Sequence, residues 1–144
     1  MKPLDGLQAI ARGDVPGPPV AQLIGMRILE AEPGRTVFEL DVGPQHANPM
    51  GTVHGGIICD VADAAMGTAY ASLLDDGESF TTLELKINFL KPVWRGRLEA
   101  VGTVVKGGRT VGLAECRVTD DTGSLVAHAT STCMTLRGEQ AQGR

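Results

Sequence analysis

A chain of 144 residues with 42% hydrophobic and 21% charged residues is long enough to bury one substantial core and fits a single domain. A net charge of −4 and an aromatic content of 3% exclude a general nucleic-acid binder, which needs a basic surface and stacking rings. No run approaches the roughly eighteen apolar residues of a membrane span, and the start Met-Lys-Pro-Leu-Asp-Gly has no apolar signal core, so a cytoplasmic protein without a membrane or nucleic-acid partner is expected.

Residues 1–19 hold four of the eight prolines and support at most one short helix around Leu4 to Ala11, so this arm is expected to lie over the fold or over a partner subunit. The folded domain is expected over residues 20–137. Val20 to Ile24 reads as a helical turn stopped by Gly25, Met26 to Ala31 as a strand, and Thr36 to Val42 as its hairpin partner across the turn Glu32-Pro33-Gly34-Arg35. After a loop rich in proline and glycine, the residues from Gly55 or Gly56 onward turn small or apolar with no Lys, Arg or Pro, as a buried helix requires; Asp75-Asp76-Gly77 ends it. From Thr81 to Leu90 strict alternation puts Leu83, Leu85, Ile87 and Phe89 on one face and Thr82, Glu84, Lys86 and Asn88 on the other. Leu98 to Val105, Thr110 to Thr119 and Leu125 to Leu136 read as three more strands, joined at Gly107-Gly108 and at Asp120-Asp121-Thr122-Gly123. The tail, residues 138–144, is polar and expected to be disordered. Two strands, one long apolar helix and four strands make an α+β pattern in which a six-stranded antiparallel sheet wraps the helix.

Within that helix Asp63 needs explaining, because a carboxylate among Val61, Ala62, Ala64 and Ala65 is costly unless paired, exposed or used. Asp60 reads as a surface or interface residue. Two glycines at the helix start leave the first backbone N–H groups unobstructed and attractive to negative charge, so Gly55 is a candidate oxyanion donor. Nine residues separate His54 from Asp63, about 13 to 14 Å along the axis. One helix cannot bring both to one atom, whereas an antiparallel second copy across a two-fold axis would; the spacing points to a homodimer with shared sites.

Cys59, Cys116 and Cys133 match neither a disulfide framework nor a zinc spacing and read as reduced core thiols. His46, His54 and His128 lack ligand spacing, so no metal is expected.

Asn48, Gly51, His54-Gly55-Gly56 and Asp63, followed by Thr81-Thr82-Leu83-Glu84-Leu85-Lys86-Ile87-Asn88-Phe89-Leu90, resemble the hotdog-fold acyl-CoA thioesterases of the phenylacetate-pathway type, over about Val20 to Leu136. The resemblance implies a thioester hydrolase acting on an acyl-CoA, with an aromatic acyl group as its extension, and with coenzyme A as part of the substrate and no separate cofactor. It implies Asp63 as general base or nucleophile, Gly55 N–H as oxyanion donor, Asn48 and His54 near the reacting group, and Thr82 beside the acid. Gly56, Thr81, Phe89 and Lys91 fall in the segments that would line the substrate, and the basic loop Lys106-Gly107-Gly108-Arg109 offers cations and free N–H groups to coenzyme A phosphates. It further implies dimers that assemble into a homotetramer.

Two other readings use the same fold. A hotdog enoyl-CoA hydratase would use Asp41 and His46, which have the five-residue spacing of that motif although Asn48-Pro49 is displaced beyond the His. A non-catalytic acyl-CoA binding module would keep the basic loop and need no Asp63.

Overall fold

The computed structural model describes all 144 residues. Its core is α3, Gly55–Ala71, on which one sheet is wrapped. The sheet contains β1 (Met26–Glu32), β2 (Arg35–Val42), β3 (Ser79–Phe89), β4 (Gly96–Gly107), β5 (Val111–Thr119) and β6 (Leu125–Leu136). All ladders are antiparallel and the order is β1-β2-β4-β5-β6-β3. This is the hotdog arrangement. α1 (Pro3–Ala11) and α2 (Pro19–Ile24) form the arm.

Small side chains let the helix sit close to the sheet. Ala62, Ala65, Met66 and Ala69 are fully buried against Leu40, Leu98, Ala100 and Ala114. At the closest approach only glycine fits on the strand: a Cβ on Gly102 of β4 would stand 2.2 Å from the Ala65 carbonyl oxygen. Thr36 Oγ1 of β2 donates to the same carbonyl at 2.7 Å and lies 2.9 Å from Thr68 Oγ1, pinning the helix in rotation as well as in distance. A pinned helix gives Asp63 and Gly55 fixed bearings relative to every strand.

The pairing of β3 with β6 holds a departure from strict alternation. Thr82 is opposite Cys133 and Glu84 opposite Thr132, so Leu83 is an extra residue bulged out of the ladder. The expected apolar face of Leu83, Leu85, Ile87 and Phe89 is therefore wrong at its first member: Leu83 is 54% exposed. Past the bulge the faces exchange, and Thr82 shares the helix-facing side with Leu85 and Ile87, whose β6 partners Cys133, Ser131 and Ala129 are fully buried. Without the extra residue a period of two would set Thr82 and Leu85 on opposite faces.

The arm lies on its own chain. Leu7, Ile10 and Ala11 pack against the main core, and Gln8 Nε2 donates to the Ala31 carbonyl at 3.1 Å. Arg137 bonds Glu78, and the tail beyond it makes a single 3-10 turn, Gly138–Ala141.

Candidate active site

The loop before α3 is built to hold its first turn. His46 is buried; its Nδ1 accepts from the Gly43 N–H at 3.0 Å, which leaves the ring hydrogen on Nε2 to donate to the Ile24 carbonyl at 2.6 Å. The His46 carbonyl accepts the His54 N–H at 2.8 Å, and Val53 N–H donates to the Val93 carbonyl at 2.8 Å, so the segment entering the helix is clamped from both sides. Between them Asn48 closes a tight loop that Gly51 can follow at φ 90°. Its Oδ1 accepts from the N–H groups of Met50 and Thr52 at 3.0 and 3.1 Å, and its Nδ2 donates to Thr52 Oγ1 at 2.7 Å. The resemblance assigns Asn48 to the reacting group; here both ends of its amide are engaged inside its own loop, because an Asx side chain ahead of proline satisfies the turn first.

His54 caps α3: its Nδ1 accepts from Gly56 N–H at 2.8 Å, and its carbonyl accepts from Ile57 and Ile58. The N–H of Gly55 alone in this first turn has no partner within the chain. Phe89, at the end of β3, lays its ring beside it; a Cβ on Gly55 would stand 3.0 Å from Phe89 Cζ. An unpartnered, outward-facing donor at a helix N-terminus beside an apolar ring is the arrangement an oxyanion binds to.

Asp63 lies two turns further along, about 12 Å from Gly55 at 1.5 Å per residue, on the flank that faces β3. Its Oδ1 accepts from Thr82 Oγ1 at 3.0 Å. Its Oδ2 has no partner, and no Lys, Arg or His forms an ion pair with it, although cations neutralise many other carboxylates of the chain. A hydroxyl on one oxygen and nothing on the other leaves this carboxylate oriented and unneutralised. The bulge at Leu83 makes the contact, since it turns Thr82 toward the helix. Cys133 lies opposite Thr82; burial pushes its thiol up, with the Asp63 charge acting in the same direction and the Ser131 and Thr82 hydroxyls opposing. Burial likewise raises Cys59, helped by Asp60 and Asp63, and pushes Cys116 up to about 12. All three thiols stay protonated near neutrality, which removes them as nucleophiles.

The remaining residues divide into separate groups. Thr81 turns to the outer face opposite Met134, away from the helix. Lys91 lies near the start of α3, two residues before the Val93 carbonyl that binds Val53, and its ammonium sits 2.5 Å from Asp120. The turn Lys106-Gly107-Gly108-Arg109 lies at the other end of the same helix, where Gly112 meets the Tyr70 ring and Arg137 Nη2 donates to the Arg109 carbonyl at 2.5 Å. Within one chain this basic turn and the Gly55 donor are therefore far apart. Asp41 and His46 are not brought together: Asp41 is held on the outer face by Arg97 at 3.1 Å and Arg27 at 3.2 Å, while both His46 nitrogens are engaged in the loop. Sequence reasoning missed the structural role of His46 and the contact of Phe89 with Gly55. The partners that matter lie far along the chain: Ile24, whose carbonyl takes the His46 Nε2 hydrogen, is 22 residues from His46, and Gly55 is 34 residues from Phe89.

The profile of the Thioesterase superfamily matches residues 50–127, a span containing Gly55, Asp63 and Thr82. The chain belongs to the thioesterase superfamily. Among curated members, a 1,4-dihydroxy-2-naphthoyl-CoA hydrolase of Listeria monocytogenes is 28% identical over 105 residues, covering 73% of this chain and 85% of its own. Acyl-coenzyme A thioesterase 13 of Mus musculus is 26% identical over 107 residues, covering 73% and 76%. Among solved thioesterase structures, a phenylacetic acid degradation-related protein of Ralstonia eutropha superposes with a TM-score of 0.81 at 32% identity, covering 89% of this chain and 98% of its own. This thioesterase is a thioester hydrolase of the hotdog fold.

Proposed function

We propose that the chain hydrolyses acyl-CoA thioesters to free acid and coenzyme A, with Asp63 as general base or nucleophile and Gly55 N–H as oxyanion donor. The observation that carries this reading is the pair of prepared groups on one helix: a donor left free while its neighbours are satisfied, and a carboxylate oriented by Thr82 with its second oxygen open. A thioester carbonyl oxygen on the Gly55 N–H would be polarised by a dipole already in place, and losing such a donor typically costs about 2.7 to 4 kcal/mol of barrier. Asp63 Oδ2 would take a proton from water, or attack the carbonyl carbon itself to give an anhydride that water then opens. Acyl-CoA substrates of the two curated relatives support the coenzyme part of the assignment.

The roughly 12 Å between donor and acid supports a reacting carbonyl shared by two chains, one supplying Gly55 and the other Asp63 with Thr82. The free edge of β3, which carries Thr82 and ends at Phe89 beside Gly55, is where an antiparallel second copy would bring the two ends together. In that arrangement the Lys106 to Arg109 turn of one chain approaches the Gly55 end of the other, where coenzyme A phosphates would extend. The dimers would pair into a tetramer, as the family resemblance implies.

The test is release of free thiol from butyryl-, decanoyl- and phenylacetyl-CoA by wild type and by Asp63→Asn. Wild type should turn over at least one of them, and Asp63→Asn should fold with an unchanged far-UV spectrum while kcat falls at least about two orders of magnitude. Turnover of the variant at near-wild-type rates would remove Asp63 from the chemistry.

A further inference from the structure

We infer that the N-terminal arm roofs the pocket for the acyl group, and that the pocket selects a flexible, uncharged hydrocarbon chain. The inference deepens the acyl-CoA reading and rests on it. Between α1, α2, β1 and the outer flank of α3 lies a cavity of about 920 Å³, at the large end of the usual range for small-molecule sites. The hollow opens to solvent on the side of the half-exposed Val20, and the arm is held over the rest of it by Leu7, Ile10 and Gln8.

The walls specify the occupant. Leu7, Ile10, Val20, Met26, Ile28 and Phe38 give an apolar lining. Two arginines reach the cavity and neither is free: Arg12 binds Asp14 at 2.9 Å, and Arg27 is held by Glu39 and Asp41. Thr68 donates to the Ala64 carbonyl at 2.7 Å, Gln22 donates to the Gly17 carbonyl at 2.8 Å, and no buried side-chain polar atom lacks a partner. A carboxylate at the distal end of the acyl group would have to displace Asp14, Glu39 or Asp41 from an arginine, so dicarboxylic acyl groups are disfavoured.

Position links the cavity to the chemistry. Its wall on α3 is Ala64 and Thr68, and Ala64 directly follows Asp63. Asp63 faces β3, whereas Ala64 and Thr68 face the arm, about 100° and 140° further round the helix. An acyl chain whose carbonyl is at Asp63 must turn round the flank of a helix about 10 Å across before it enters the cavity. A short acyl group does not reach, and a rigid ring joined directly to the carbonyl cannot make the turn.

The experiment compares kcat/KM for acetyl-, butyryl-, benzoyl- and decanoyl-CoA in wild type and in Ala11→Phe, which fills the cavity from the arm and touches no residue assigned to the chemistry. Wild type should favour decanoyl- over acetyl- and benzoyl-CoA by at least about tenfold, and Ala11→Phe should lower decanoyl-CoA by about tenfold while butyryl-CoA stays within about twofold. Val20→Trp, from the exposed side of the cavity, gives the same reading if Ala11→Phe fails to fold. Equal effects on both substrates, or none, overturn the inference and leave the thioesterase reading standing. A wild type that hydrolyses no acyl-CoA overturns that reading instead; decanoate that raises the Tm of wild type but not of Ala11→Phe then upholds the pocket, and decanoate that raises neither overturns it.

Discussion

Gly55 carries its donor on the main chain, so side-chain truncation cannot remove it, and the substitution that does is one the local backbone already accepts. His54 has φ −61° and ψ 134°, the extended conformation required before a proline, and the first position of a helix tolerates proline because its N–H has no intrahelical partner. Gly55→Pro therefore deletes the donor with little cost to α3. Gly55→Ala keeps the donor and brings a Cβ 3.0 Å from the Phe89 ring, which reports the steric part alone. The expected outcome is a fall in kcat of about 10²- to 10³-fold for Gly55→Pro and less than about tenfold for Gly55→Ala, with far-UV spectra matching wild type in both. Equal losses in the two variants would mean that crowding at Phe89, and not the missing N–H, is responsible. Asp63 differs in kind: the role proposed for it is in the side chain, and Thr82 is the group that orients it.

At the scale of elements, the boundaries were legible wherever glycine and proline punctuate the chain. Gly25 stops α2 with φ 90°, Gly34 makes the β1–β2 turn, and small residues alone mark α3. The bulge in β3 was not legible, because alternation over Thr81 to Leu90 says nothing about which residue lacks a partner on β6. The error mattered at the site: strict alternation separates Thr82 from Leu85, and the bulge reunites them on the helix side. Asp63 itself was legible as an unexplained charge among alanines, whereas the loop-closing hydrogen bonds of Asn48 were not, because they depend on how the loop folds back on Thr52.

The turn between β5 and β6 is a second element with a testable charge. Asp120 accepts from Thr122 and Ser124, and with Lys91 at 2.5 Å and the Thr122 hydroxyl at 2.7 Å its carboxyl is held well below its ordinary value of 3.8. A depressed carboxylate contributes stability that is fully present above about pH 4 and is lost as the pH falls toward its folded value. Asp120→Asn should lower Tm at pH 7 and flatten the decline of Tm between about pH 4 and pH 2, read by thermal melts across that range. A variant that melts with the wild-type acid slope would show that other carboxylates carry the acid sensitivity.

For the whole molecule the decisive feature is that β3 ends the sheet with one side unpaired while carrying Thr82 and Phe89. If two chains complete one site there, Gly55→Pro and Asp63→Asn fail on different halves of it. Unfolding a mixture of the two inactive variants together and refolding them should restore activity to about a quarter of wild type, since random pairing makes half the dimers mixed and each mixed dimer has one intact site. Mixed dimers demonstrated by mass spectrometry but devoid of activity would place both groups of a working site in one chain.

The same edge sets a condition on how the chain is made. β3 closes at Phe89, yet its partner β6 ends only at Leu136, and at about 5 to 20 residues per second the ribosome needs on the order of 2 to 9 seconds to bridge that gap. Throughout that interval neither side of β3 has its strand partner, and Leu83 and Phe89 on it stay exposed even in the finished fold. Glu84 and Lys86 stand in its middle as two charges that interrupt an otherwise apolar run. The strand that carries Thr82 therefore waits for the last strand of the chain before its ladder can form, and its two charges are what keep it in water over that interval.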